Sequence, residues 1–151
     1  MDIIDPNLFN GACIFAAFPT NDCPINPSQI DIPNRLELLL ADNFYGDLEA
    51  KTNAFLNNIR NHAITKGYPM HIVSEGSIFW MAFGTDRIIK ASDIDVASMD
   101  HFKKLHQYLL DNGVYLGPSG YEVGFVSSAH TTKSLDQAAT VICAGLDSVF
   151  S

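Results

Sequence analysis

The residues of this chain whose types could carry chemistry are few and scattered. Ser127-Ser128-Ala129-His130 sets two hydroxyls just ahead of an imidazole. A Ser–His hydrolase needs nucleophile, base and orienting acid brought together in space, usually with a Gly-x-Ser-x-Gly elbow, and the sequence has no such elbow. These hydroxyls read instead as strand-end and helix-cap groups. The histidines, His62, His71, His101, His106 and His130, include no His-Glu-x-x-His pair, so they read as surface or boundary residues rather than metal ligands. Asp93, Asp95 and Asp100 are spread over a loop and a helix start, where they suit a solvated face and the positive end of a helix. Gly117-Pro118-Ser119-Gly120 follows a strand but opens no helix, so it is no phosphate cradle.

Composition narrows the classes further. The 151 residues carry 9 Lys+Arg against 17 Asp+Glu, a net charge of −8. That balance argues against nucleic-acid binding, which needs a basic face, and against a polybasic membrane contact. Hydrophobic residues make up 47%, enough for a core. Cys13, Cys23 and Cys143 are odd in number and lack zinc-ligand spacing, which predicts free thiols in a reducing cytoplasm. The apolar stretch 12–18 lacks a basic flank and falls far short of the ~20 residues of a spanning helix. The sequence therefore predicts a cytoplasmic protein.

The elements that would position these groups begin near residue 34. Residues 1–33 hold five prolines, Pro6, Pro19, Pro24, Pro27 and Pro33, and read as an irregular arm. Leu36, Leu39 and Leu40 then share a helical face until Asp42-Asn43 interrupts. A longer stripe, Leu48, Phe55, Ile59 and Ala63, stops at Lys66-Gly67, with Pro69 beyond. Residues 70–74 and 77–83 read as strands around a turn at Glu75-Gly76. The second is apolar on both alternating sets, so both of its faces should be covered, one of them by another domain or subunit. A helix capped by Ser98 carries Phe102, Leu105 and Leu109 and ends at Asn112-Gly113. Residues 114–116 and 123–127 read as short strands. A last helix starts at Thr131 or Thr132 and carries Leu135, Ala138, Ala139, Ile142, Leu146 and Val149. The expectation is an α+β fold over residues 34–151: a small, mainly antiparallel sheet with helices packed on it, in the order α-β-β-α-β-β-α.

Three stretches together carry a resemblance. They are Phe44-Tyr-Gly-Asp-Leu-Glu-Ala-Lys-Thr52, Glu75-Gly-Ser-Ile-Phe79, and Gly113-Val-Tyr-Leu-Gly-Pro-Ser-Gly-Tyr-Glu-Val-Gly-Phe-Val-Ser-Ser-Ala-His-Thr131. Over about residues 36–150 the chain resembles the C-terminal portion of the glutamate-1-semialdehyde 2,1-aminomutase family, class III relatives of the fold type I aminotransferases. The third stretch is the most specific, with the family's Gly-Val-Tyr-Leu-Ala-Pro-Ser, a glutamate, and Ser-x-Ala-His-Thr. Gly117 and Gly120-Tyr121 depart from that pattern.

The resemblance implies pyridoxal phosphate in the intact enzyme, bound by a lysine of a large domain N-terminal to this region. It implies an enzyme of 5-aminolevulinate and porphyrin synthesis. None of Lys51, Lys66, Lys90, Lys103, Lys104 and Lys133 stands in the family's cofactor-lysine context. The expectation is therefore no cofactor on this chain alone, no catalytic residue, and a partner that is either a second copy or a larger pyridoxal-phosphate domain. Glu122 matches the family's glutamate at the active-site entrance, associated with gating or substrate contact. Gly76 and Ser77 match a Gly-Ser near the active-site mouth, where a backbone turn suffices to explain them. The other reading is a stand-alone, non-catalytic interaction module derived from that domain.

Overall fold

The computed structural model describes residues 37–84, 88, 90 and 93–151. The expectations for the 1–33 arm, Leu36, Cys13 and Cys23 fall outside the described residues.

Residues 37–40 are helical, and the chain then turns at Asn43, whose φ of 64° is left-handed. That turn is the interruption expected at Asp42-Asn43. Helix α1 (Phe44–Lys66) buries Thr52, Phe55, Leu56, Ile59 and Ala63 on one stripe. It ends as the sequence predicts: Gly67 adopts φ 70°, its N–H donates to Ile64 O, and Tyr68 N–H reaches back to Ala63 O. These paired bonds satisfy the carbonyls left over at the last turn.

Strands β1 (Met70–Glu75) and β2 (Ile78–Phe83) form an antiparallel hairpin in the register Met70↔Phe83 to Glu75↔Ile78. The turn lies at Gly76-Ser77, one residue later than expected, because only Gly76 takes the positive φ (54°) that the first central position of a tight hairpin asks for. A 3₁₀ turn (Val96–Ser98) leads into α2 (Met99–Asp111). Ser98 was expected to cap this helix, but its hydroxyl donates to Asp95 O at 2.6 Å instead. The Asp95 carboxylate takes the capping role, accepting from Ala97 N–H at 2.9 Å. Helix α2 buries Met99, Phe102, Leu105 and Leu109 and closes at Gly113 (φ 77°) with Val114 N–H on Leu109 O.

The expected strand over residues 114–116 does not join the sheet. Val114 and Leu116 are 1% and 4% exposed and plug the core, while Tyr115 makes an isolated bridge. Apolar alternation here marks a buried loop. The second short strand shrinks to β3 (Gly124–Phe125), paired antiparallel with β2 through Ile78↔Phe125 and Phe79↔Gly124. The described order is thus α-β-β-α-β-α with a three-stranded sheet β1-β2-β3. Helix α3 (Thr132–Phe150) starts at Thr131, whose hydroxyl accepts from Ser134 N–H.

Helix α3 packs against both α1 and α2, and their apolar stripes meet Met70, Phe79, Met81 and Phe83 in one core. Gly145 lets α3 approach closely: a Cβ there would stand 2.7 Å from Leu105 Cδ1. The helices cover one face of the sheet. On the other, Val73, Ile78 and Phe125 are 53%, 41% and 41% exposed, although Ala82 is buried. Among the described residues, the cover expected on both faces of β2 is therefore present on one.

Candidate functional site

Gly76 and Ser77 occupy the tip of the β1–β2 hairpin. The backbone carbonyl of Ser77 accepts from Val126 N–H at 2.9 Å, continuing the β2–β3 pairing beyond Phe125. Their placement is explained by the turn and the ladder. Glu122 lies beyond the opposite end of that short pairing, past Gly124, so the structure does not bring it together with Gly76 and Ser77.

Glu122 closes the loop that begins at Gly117. Its N–H donates to Ser119 O at 3.0 Å, and Ser119 Oγ accepts from Tyr121 N–H at 3.3 Å. The loop is fastened to the body at Gly120, whose carbonyl accepts from Trp80 Nε1 at 2.8 Å. Gly120 also lies against α2, where a Cβ would stand 3.1 Å from Phe102 Cγ. At Gly117 a Cβ would run into the Glu122 side chain. Gly120 thus sits where the chain passes close against α2, whereas the neighbour at Gly117 is the outer end of the Glu122 side chain. Glu122 itself is exposed, and its carboxylate accepts no hydrogen bond among the described residues.

The Ser127–His130 pair forms a turn. His130 Nδ1 accepts from Ser127 N–H at 2.9 Å, with Ser127 Oγ at 3.2 Å. Nδ1 has a single lone pair, already engaged by the backbone, so it is no base for the hydroxyl. Lys51 Nζ donates to Ser128 O and His130 O, both at 3.1 Å, tying α1 to this turn.

The acidic residues do not converge either. Asp93 meets Lys90, Asp95 caps the 3₁₀ turn, and Asp100 pairs with Lys103 at 2.9 Å on the surface. That last pairing lowers the Asp100 pKa and raises that of Lys103, chiefly through the hydrogen bond between them. Among the described residues, no group of three His, Cys, Asp or Glu side chains could hold a metal ion.

One cluster has no signature in the sequence. Asp147 on α3 accepts from Tyr68 Oη at 2.6 Å and stands 2.8 Å from His62 Nε2, with Lys66 Nζ at 3.8 Å. The Tyr68 hydrogen bond, then that of His62, holds the Asp147 carboxyl below its ordinary pKa, and the Tyr68 phenol is raised in return. Burial, and then the Asp147 charge, push the nearby Cys143 thiol up, which makes it a poor nucleophile. The partners lie 79 and 85 residues apart, so only the packing of α1 on α3 unites them.

The described residues do not fit pyridoxal phosphate. A lysine is needed for the Schiff base, with a carboxylate for the ring nitrogen and donors for the phosphate. Lys51 is committed to two carbonyls, and Lys66, Lys90 and Lys103 stand beside surface aspartates. Lys104 and Lys133 are exposed.

Helices layered on one face of this small antiparallel sheet make an α+β fold similar to a portion of known transaminase structures. An omega-transaminase from Sphaerobacter thermophilus superposes with a TM-score of 0.67 at 13% identity, over 75% of this chain and 26% of that one. A glutamate-1-semialdehyde-aminomutase from Pseudomonas aeruginosa, solved in complex with PMP, does so with a TM-score of 0.60 at 17% identity, over 70% and 23%. In sequence the chain matches a segment of glutamate-1-semialdehyde 2,1-aminomutases. It is 36% identical over 108 residues to those of Chlamydia trachomatis serovars L2 and D, covering 72% of this chain and 26% of each relative. The chain thus spans about a quarter of the length of the curated relatives it matches. No protein-family model matches it. No described helix is long and apolar enough to cross a membrane.

Proposed function

We propose that this chain is the C-terminal small domain of a pyridoxal-phosphate-dependent, glutamate-1-semialdehyde aminomutase-like enzyme and performs no chemistry by itself. The observation that carries this reading is the 36% identity across 108 residues. The intact enzyme moves an amino group within glutamate-1-semialdehyde to give 5-aminolevulinate, a porphyrin precursor, in the cytoplasm. A larger domain supplies the Schiff-base lysine, and this chain docks on it. Glu122, exposed at the end of an anchored loop, serves the active-site entrance from the small-domain side.

Two measurements test the reading. The full chain mixed with pyridoxal phosphate should give no internal-aldimine absorbance, and a borohydride-fixed, lysine-linked cofactor would contradict it. The chain should also restore activity to a chlamydial aminomutase lacking its matching 108 residues, and Glu122→Ala should lower that activity. Absence of any complementation would remove the assignment.

A second reading is a stand-alone dimerisation module, favoured by the exposed Val73, Ile78 and Phe125 on the open sheet face. Light scattering decides it: a monomer at high concentration leaves this reading without support.

A further inference from the structure

Gly117 is buried, whereas Glu122, five residues on, is exposed. The Glu122 side chain nevertheless folds back over Gly117. A Cβ built on Gly117 would collide with the Glu122 carboxylate oxygen Oε2, standing 2.9 Å from Cδ and 3.1 Å from Cβ. Gly117 is not among the positive-φ glycines, so backbone conformation does not demand a glycine there. What a methyl group would take is the space the carboxylate fills, and the carboxylate, as the far end of an exposed side chain, would have to turn out into solvent. The approach is enforced from both sides of the loop: Glu122 N–H is bonded to Ser119 O, and Gly120 is held by Trp80 and pressed against Phe102. Tethered at those points, the loop cannot drift outward to make room for a methyl group.

We propose that Gly117 is a positioning residue: its missing side chain is the seat of the Glu122 carboxylate, and it selects the folded-back pose over one directed into solvent. The seat is steric, since no hydrogen bond among the described residues holds the carboxylate. The pose therefore depends on the shape of the glutamate side chain and not on its charge. Any consequence for catalysis rests on the function proposed above, but the pose can be measured on this chain without cofactor or substrate.

The experiment combines NMR with a thermal double-mutant cycle on the full chain. Wild type and Glu122→Gln should both show nuclear Overhauser contacts between the Gly117 α protons and the residue 122 side-chain methylenes. Gly117→Ala should abolish the seated pose and change the Glu122 χ1 coupling constants. It should also lower the melting temperature by about 2 °C at most, since the displaced carboxylate is the end of an exposed side chain and can turn into solvent. In a Glu122→Ala background the same substitution should lower it by less than half as much, because the carboxylate is gone. Should Gly117→Ala alone fail to fold, adding Glu122→Gly should restore folding. Equal losses in both backgrounds, missing wild-type contacts, or a failed rescue would each overturn the proposal. None of these readouts depends on complementing an aminomutase, so failure of the functional reading would be seen separately.

Discussion

Trp80 Nε1 donates to the Gly120 carbonyl at 2.8 Å, so the middle of β2 holds the loop that carries Glu122. This bond spans 40 residues and joins the sheet directly to the stretch with the most specific family likeness. It also gives that loop an optical reporter, since Trp80 is the only tryptophan in the chain.

Disturbing the loop should therefore be visible in fluorescence. Gly120→Ala brings a methyl group against Met99 and Phe102, so the loop must lift from α2. The expected outcome is a red-shifted Trp80 emission and a stability loss of about 1–3 kcal/mol in urea unfolding. Trp80→Phe should cost about 1 kcal/mol for the lost bond, with additional loss from the smaller ring. An unshifted emission spectrum in Gly120→Ala would show that the loop is not fastened at this point.

The hairpin tip separates two residues that the family likeness presents as a pair. Gly76 has φ 54°, whereas Ser77 contributes through its backbone carbonyl. Gly76→Ala should cost about 1–2 kcal/mol, the penalty of a left-handed alanine, and Ser77→Ala should stay within about 0.5 kcal/mol. Chemical denaturation of the two variants measures both. A large loss from Ser77→Ala would point to a role for its hydroxyl beyond the turn.

What was legible in the sequence follows the range of the forces involved. The stops at Gly67 and Gly113 are local, and a glycine after an apolar stripe reports them directly. The start of α3 at Thr131 is of the same kind. Residues 114–116 misled because alternation reports burial, and a loop plugging the core buries Val114 and Leu116 as well as a strand would. Glu122 is singled out by family likeness alone, since a lone exposed carboxylate carries no pattern. Its seat on Gly117 needs the folded loop. The Tyr68–Asp147–His62 cluster was invisible because tertiary packing alone brings its members together.

Lys51 ties α1 to the turn before α3, and Thr131 caps the helix that follows. Thr131→Ala removes the hydroxyl that accepts from Ser134 N–H and should cost about 1 kcal/mol. Thr131→Asp, which restores an acceptor, should recover most of it. Lys51→Met should leave the Ser128 and His130 carbonyls to water and speed amide exchange in residues 128–130. Unchanged exchange in Lys51→Met would mean that the turn is held by Ser127 and His130 alone.

Asp147 makes stability depend on pH at both ends of the range. Its carboxyl is held below the ordinary value of about 3.9 by the Tyr68 and His62 hydrogen bonds. A depressed folded-state pKa stabilises the protein above the unfolded value, and that contribution is lost as pH falls through the folded one. The Tyr68 phenol, raised above its ordinary value of about 10 mainly by the same hydrogen bond, behaves in the opposite sense. Its contribution is present below pH 10 and is lost as pH rises through the raised value. Asp147→Asn should therefore flatten the melting-temperature profile both below about pH 4 and above about pH 10. Tyr68→Phe should remove the alkaline dependence and only weaken the acid one, because His62 still faces Asp147. Melting temperatures from pH 2.5 to 6 and from pH 9 to 11.5 distinguish these cases. If Asp147→Asn kept both slopes, the hydrogen bonds of Asp147 to Tyr68 and His62 would not be what sets them.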